Sequence, residues 1–137
     1  MENNSENKPY SLVLCKGLNE LSKTVHNRAV EKGFWDNKKE IGTLLMLCVS
    51  ELGEALESDR RSKYANLEQF ENSLPGCDTV ANASFQENIK DTFEDEIADT
   101  IIRLLDMCGN LGIDIDKHIN YKLGYNLTRG NKHGKSY

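Results

Sequence analysis

The chain has 137 residues, a formal charge of −5, two prolines, four cysteines and an aromatic share of 7%. That is the length of one domain with a lean core. The acidic balance speaks against a binder of polymeric nucleic acid, whose affinity rests on a basic face. It leaves nucleotides open, because a bound metal can supply local positive charge. No segment is long and apolar enough to span a bilayer. MENNSENKPY lacks the basic flank of a secretion signal, and the SLVLC that follows is too short for its apolar run. Cys15, Cys48, Cys77 and Cys108 form no CxxC pair, and Cys48 and Cys108 lie at helical spacing among apolar residues, where a thiol behaves as a small hydrophobe. A reduced cytoplasmic protein that contacts no membrane is expected.

In chain order, residues 1–10 read as a disordered lead-in to a single domain, 11–137. Ser11 is a candidate N-cap for a first helix with Leu14, Leu18, Leu21 and Val25 on its apolar face, closed by Gly33 as a left-handed C-cap. The link GFWDN carries the only tryptophan, Trp35. A second helix, from about Lys38 to Arg60, has Ile41, Leu44, Leu45, Cys48, Leu52 and Leu56 as its expected core face. Gly53 inside it marks either close packing beside the carboxylates or an ordinary tolerated glycine.

From 62 to 90 the periodicity fades into a long connection with short helical turns expected near 67–70 and 83–89. Pro75–Gly76 is its strongest turn signal. Asp91 is expected to cap a third helix, with Glu94 completing a capping box and GNLG ending it. Asp114 or Asp116 opens a fourth, with Ile115, Ile119, Leu123 and Leu127. The tail 128–137 concentrates Arg129, Lys132, His133 and Lys135. The expected architecture is therefore all-α, a four- to five-helix bundle.

The chemistry concentrates in two of these helices. In EDEIADTIIRLLD, Glu96, Asp99, Arg103 and Asp106 share one stripe at i, i+3, i+7 and i+10, and most of the rest (Ile97, Ala98, Ile101, Ile102, Leu104, Leu105) is apolar. LMLCVSELGEALES repeats the design with Glu51 and Glu54. Packed side by side, the two helices would bring four carboxylates together, which suits a hard divalent cation such as Mg²⁺ that also contacts substrate phosphates. Acidic pairs at this spacing are often merely solvated. Here they occur in the two most apolar helices, and the basic tail adds phosphate-binding charge. No Glu-x-x-His motif is present, as a di-iron bundle would need. An all-oxygen donor set favours Mg²⁺ or Mn²⁺ over zinc or iron.

SELGEALESDRR followed by DEIADTIIRLLDMCGNLGID resembles the MazG-like, all-α nucleoside triphosphate pyrophosphohydrolase superfamily. The likeness extends to HNRAVEKGFWDN and to KLGYNLTRGNKHGKSY, and so covers nearly the whole chain from about Ser11. It implies that Glu51, Glu54, Glu96 and Asp99 bind Mg²⁺ and that a nucleoside triphosphate is cleaved to monophosphate and pyrophosphate; Glu51 or Glu54 is then expected to orient the attacking water as well. It also implies a homodimer or homotetramer. Two departures stand out. The stretch 62–90 is longer than in compact members, and Arg103 stands where some relatives place an aromatic residue near the base.

His26 and Trp35 align with positions that contact the nucleobase in some relatives, although either residue fits an ordinary surface or core position. Lys39 reads as solvated. Lys122, Asn126, Arg129 and Lys132 are candidate phosphate contacts from the fourth helix and tail, or simply a solvated basic end. His118 has no motif support. Two alternatives stay open: a helical interaction module that retains the fold without activity, and a dUTP-selective enzyme of the same superfamily.

Overall fold

The computed structural model describes residues 17–130, apart from the side chain of Leu127. It is all-helical, with six helices and no strand among the described residues: α1 (Leu18–Glu31), α2 (Ile41–Arg60), α3 (Leu67–Ser73), α4 (Asp78–Asn88), α5 (Phe93–Leu111) and α6 (Ile115–Leu127). The expected lead-in, the Ser11 cap, Leu14, Cys15, Lys132, His133 and Lys135 lie outside the described residues. None of the described helices is long and apolar enough to cross a membrane. The chain divides into two compact units. One is Glu40–Arg103; the other joins residues 17–39 to residues 104–130.

In the Glu40–Arg103 unit, α2 and the first half of α5 run antiparallel. Ser58 Oγ donates to the carbonyl of Asp91 at one end, and Arg103 reaches Glu51 further along. The buried residues of α2 are Leu44, Cys48, Glu51, Ala55 and Ser58, a strict 3–4 stripe. This corrects the expected core face. Leu44 and Cys48 belong to it, but Ile41, Leu45, Leu52 and Leu56 are about half exposed, together with Val49. Half of the helix is apolar all round, so periodicity alone points to the side richer in leucine, and packing has selected the neighbouring one. A Cβ on Gly53 would meet nothing within 4 Å, so close packing does not explain that glycine.

The stretch 62–90 is more ordered than expected. It forms a helical hairpin, α3 and α4, turning at Pro75–Gly76 with Phe70 and Phe85 edge to face at 5.7 Å. The hairpin is clamped at its base. Asn66 N–H donates to the carbonyl of Asn88, Phe93 N–H to that of Lys63, and Ala65 N–H to the carboxylate of Glu94. Glu94 is thereby drawn away from the expected capping box. Thr92 Oγ1 caps α5 instead, accepting from Asp95 N–H at 3.4 Å, while the Asp95 carboxylate accepts from Asp91 N–H at 2.9 Å. Asp91 adopts a left-handed φ of 56°.

In the other unit, both glycine-bearing ends behave as expected. Gly33 and Gly112 have φ of 79° and 65°, and the next N–H of each reaches back to Ala29 and Cys108 respectively. Asp114 caps α6 by accepting from Lys117 N–H. Asp116 has another task. Its carboxylate accepts from Leu18 N–H and Asn19 N–H, satisfying the first turn of α1, where Gly17 has no side chain to offer. At Gly109 a Cβ would lie 2.6 Å from that of His26, so α1 and the end of α5 approach to glycine distance. Ser22 Oγ, buried in the same contact, donates to the carbonyl of Leu105 at 2.6 Å. Cys48 and Cys108 are buried free thiols, and burial raises both pKa values, as suits inert packing residues.

Candidate metal centre

α2 and α5 carry Glu51, Glu96 and Asp99 to one place in the Glu40–Arg103 unit. One carboxylate oxygen of each lies within 4.8 Å of the other two. Glu51 and Glu96 are buried, at 6% and 4% exposure; Asp99 is more open. Their positions follow from the local sequence. Glu51 occupies the register of Leu44, Cys48 and Ala55 and is buried with them, while Glu96 precedes Thr100 by one turn on the buried side of α5.

Negative charge exceeds what the surroundings neutralise. Burial, a hydrogen bond shared with Glu51, and the nearby charges of Glu54, Glu51 and Asp95 push the Glu96 pKa up to about 7. The Asp99 pKa is also raised, by burial first and then by Asp95 and Glu51, against the opposing pull of Arg103. Two buried carboxylates and a third within reach, all oxygen donors and rich in charge, are a donor set that fits a hard divalent cation. Among the described residues this is the only group of three or more such side chains close enough to hold a metal ion.

Glu54 is one turn beyond Glu51 and exposed, with its carboxylate 3.5 Å from Ser50 Oγ. It acts on Glu96 and Asp99 through its charge and does not join the close group, which has three members where the sequence suggested four. Arg103 places Nη2 at 2.5 Å and Nε at 2.6 Å from Glu51 Oε1.

The other candidates belong to the second unit. His26 Nδ1 lies 2.8 Å from Asp106 Oδ1, and Trp35 Nε1–H donates to both Asp106 oxygens at 3.0 and 3.1 Å. The two rings meet edge to face at 5.2 Å. Lys39 is not merely solvated: its ammonium sits 5.5 Å from the centre of the Trp35 ring and 5.7 Å from that of Phe34. Asp106 joins both rings, a role that no motif in the sequence marks. Its only signal there is its place as the last residue of the stripe Glu96, Asp99, Arg103 and Asp106. Lys122 and Arg129 both lie over the Tyr125 ring, at 5.3 and 5.7 Å, and the carbonyl of Asn126 accepts from Arg129 N–H.

Comparison of the chain with models of known families, with curated proteins and with solved structures finds no match.

Proposed function

We propose that this chain is a Mg²⁺-dependent nucleoside triphosphate pyrophosphohydrolase of the MazG-like, all-α type, with Mn²⁺ as an acceptable substitute. Water would break the bond between the α- and β-phosphates, giving a nucleoside monophosphate and pyrophosphate, in keeping with the clearing of unwanted nucleotides from the cytoplasm. The observation that carries this reading is the meeting of Glu51, Glu96 and Asp99 within 4.8 Å, two of them buried. Solvated acidic faces have no need to bury carboxylates against one another, and the cost of doing so calls for a compensating cation.

When bound, that cation would supply charge against the phosphate oxygens and acidify a coordinated water. The rest falls to the chain. Glu51, Glu96 and Asp99 would hold the cation, and Glu54 is the better placed of the two glutamates to orient the water, since Glu51 belongs to the close group that would hold the cation and Glu54 stands exposed one turn beyond it. In this reading Arg103 takes the triphosphate beside the cluster; taken by itself, the second unit offers His26 and Trp35 as candidates for a base and Lys122, Asn126 and Arg129 as candidates for phosphate, with Lys132, outside the described residues, as another. A base stacking on Trp35 would have to share the ring with Lys39. We further propose that copies of the chain pair through the apolar stripe of Ile41, Leu45, Val49, Leu52 and Leu56 on α2, because a two-fold axis needs only one self-complementary patch.

The test is pyrophosphate release from a panel of standard and modified NTPs and dNTPs, with Mg²⁺ and with EDTA. Metal-dependent release with the monophosphate as co-product supports the reading. Release confined to dUTP narrows it to the selective enzyme. No release across the panel from folded protein favours the interaction module.

A further inference from the structure

The buried carboxylate of Glu51 already carries a cation. Two nitrogens of Arg103 converge on its Oε1 at 2.5 and 2.6 Å. In the usual arginine–carboxylate fork each nitrogen takes its own oxygen. Here both serve one oxygen, as donors gather around a single strong acceptor. The partners also differ in freedom. The Glu51 side chain is 8% exposed and is held against Glu96, whereas that of Arg103 is 42% exposed and borders water.

We propose that Arg103 is a positioning residue that stands in for the divalent cation: it holds Glu51 while the carboxylate cluster is metal-free and yields Glu51 when metal binds. This rests on the metal-binding reading of Glu51, Glu96 and Asp99. The physical argument is exclusion. An oxygen donor lies roughly 2.0–2.1 Å from Mg²⁺, so a guanidinium on the same oxygen would stand about 4 Å from a doubly charged ion. That repulsion is costly in a partly buried place. One cation must leave, and Arg103 is the one with an open path. Its planar, permanently charged head is then free for phosphate oxygens. Metal loading and readiness for a triphosphate thus become one event, with the buried carboxylate of Glu51 compensated before it.

The test compares the full-length chain with Arg103→Met and Arg103→Lys at pH 8, by titration calorimetry with Mg²⁺ and Mn²⁺ and by thermal melting with and without metal. The proposal expects Arg103→Met to melt lower than wild type without metal and to bind Mg²⁺ roughly tenfold more tightly or better. Added metal should bring its melting midpoint back toward that of the loaded wild type. Arg103→Lys should fall between the two. A purely structural arginine would not raise metal affinity when removed. Unchanged or weaker affinity in Arg103→Met, with wild type still binding metal, overturns the exchange and leaves the metal site standing.

If wild type and both variants bind neither ion, the metal site fails and the exchange with it. Should Arg103→Met not fold, the wild type decides. Its Arg103 Nε–H signal, assigned through Arg103→Lys, should shift and exchange faster with water as Mg²⁺ saturates. A signal unmoved at saturation overturns the proposal.

Discussion

Glu96 carries the clearest single-residue consequence. Its folded pKa of about 7 stands above the ordinary value of 4.5, so the native state holds this proton more tightly than the unfolded chain does. The stability it contributes is full below about 4.5 and is lost as pH rises through about 7. Between pH 6 and pH 8 the metal-free protein should lose roughly 1 kcal/mol, read as a lower urea midpoint. Saturating Mg²⁺ should reverse the trend, since metal binds the ionised carboxylates. A metal-free protein equally stable at both values would show that Glu96 is not the group described. Glu54, being exposed, tests differently. Glu54→Gln should abolish pyrophosphate release while the melting temperature holds within about 1 °C. Full activity in that variant would remove Glu54 from the mechanism.

At the scale of the element, the end of α2 holds strain that the ends of α1 and α5 avoid. All three close with an N–H reaching back five residues, but Gly33 and Gly112 occupy the left-handed position in two of them and Ser62 in the third, with φ of 55°. An L-residue there costs roughly 1–2 kcal/mol, partly offset by the smaller entropy it loses on folding. Ser62→Gly should therefore raise stability by about 0.5–1 kcal/mol, measured by urea unfolding. A loss would mean that the serine hydroxyl contributes more than the backbone conformation costs. The caps teach a related lesson. A side chain from elsewhere can take over a cap, as Asp116 does for α1, or be drawn off one, as Glu94 is by Ala65.

At the scale of the whole molecule, apolar surface is left over among the described residues. There the buried hydrophobic residues are eight in number, half of them Ala or Cys, whereas α2 alone exposes Ile41, Leu45, Val49, Leu52 and Leu56 along one stripe. Leu52→Glu puts a charge in that stripe at a residue that is about half exposed. If copies pair there, the variant should sediment as a smaller species than wild type in analytical ultracentrifugation and keep its helical circular dichroism. Identical sedimentation would move the contact elsewhere or abolish it.

The sequence by itself determined the helical class, the Gly33 and Gly112 stops, the Pro75–Gly76 turn and the acidic residues of α2 and α5. Each depends on spacing along one segment or on one residue's backbone preference, and those act locally. Tertiary structure decided which side of α2 is buried, that 62–90 closes into a hairpin, which side chains cap α1 and α5, and that Asp106 gathers His26 and Trp35. It also brought Glu51, Glu96 and Asp99 together and set Arg103 on Glu51. These are choices among partners far apart in sequence. A helix apolar on more than one side offers several faces at similar local cost, and only its neighbours break the tie.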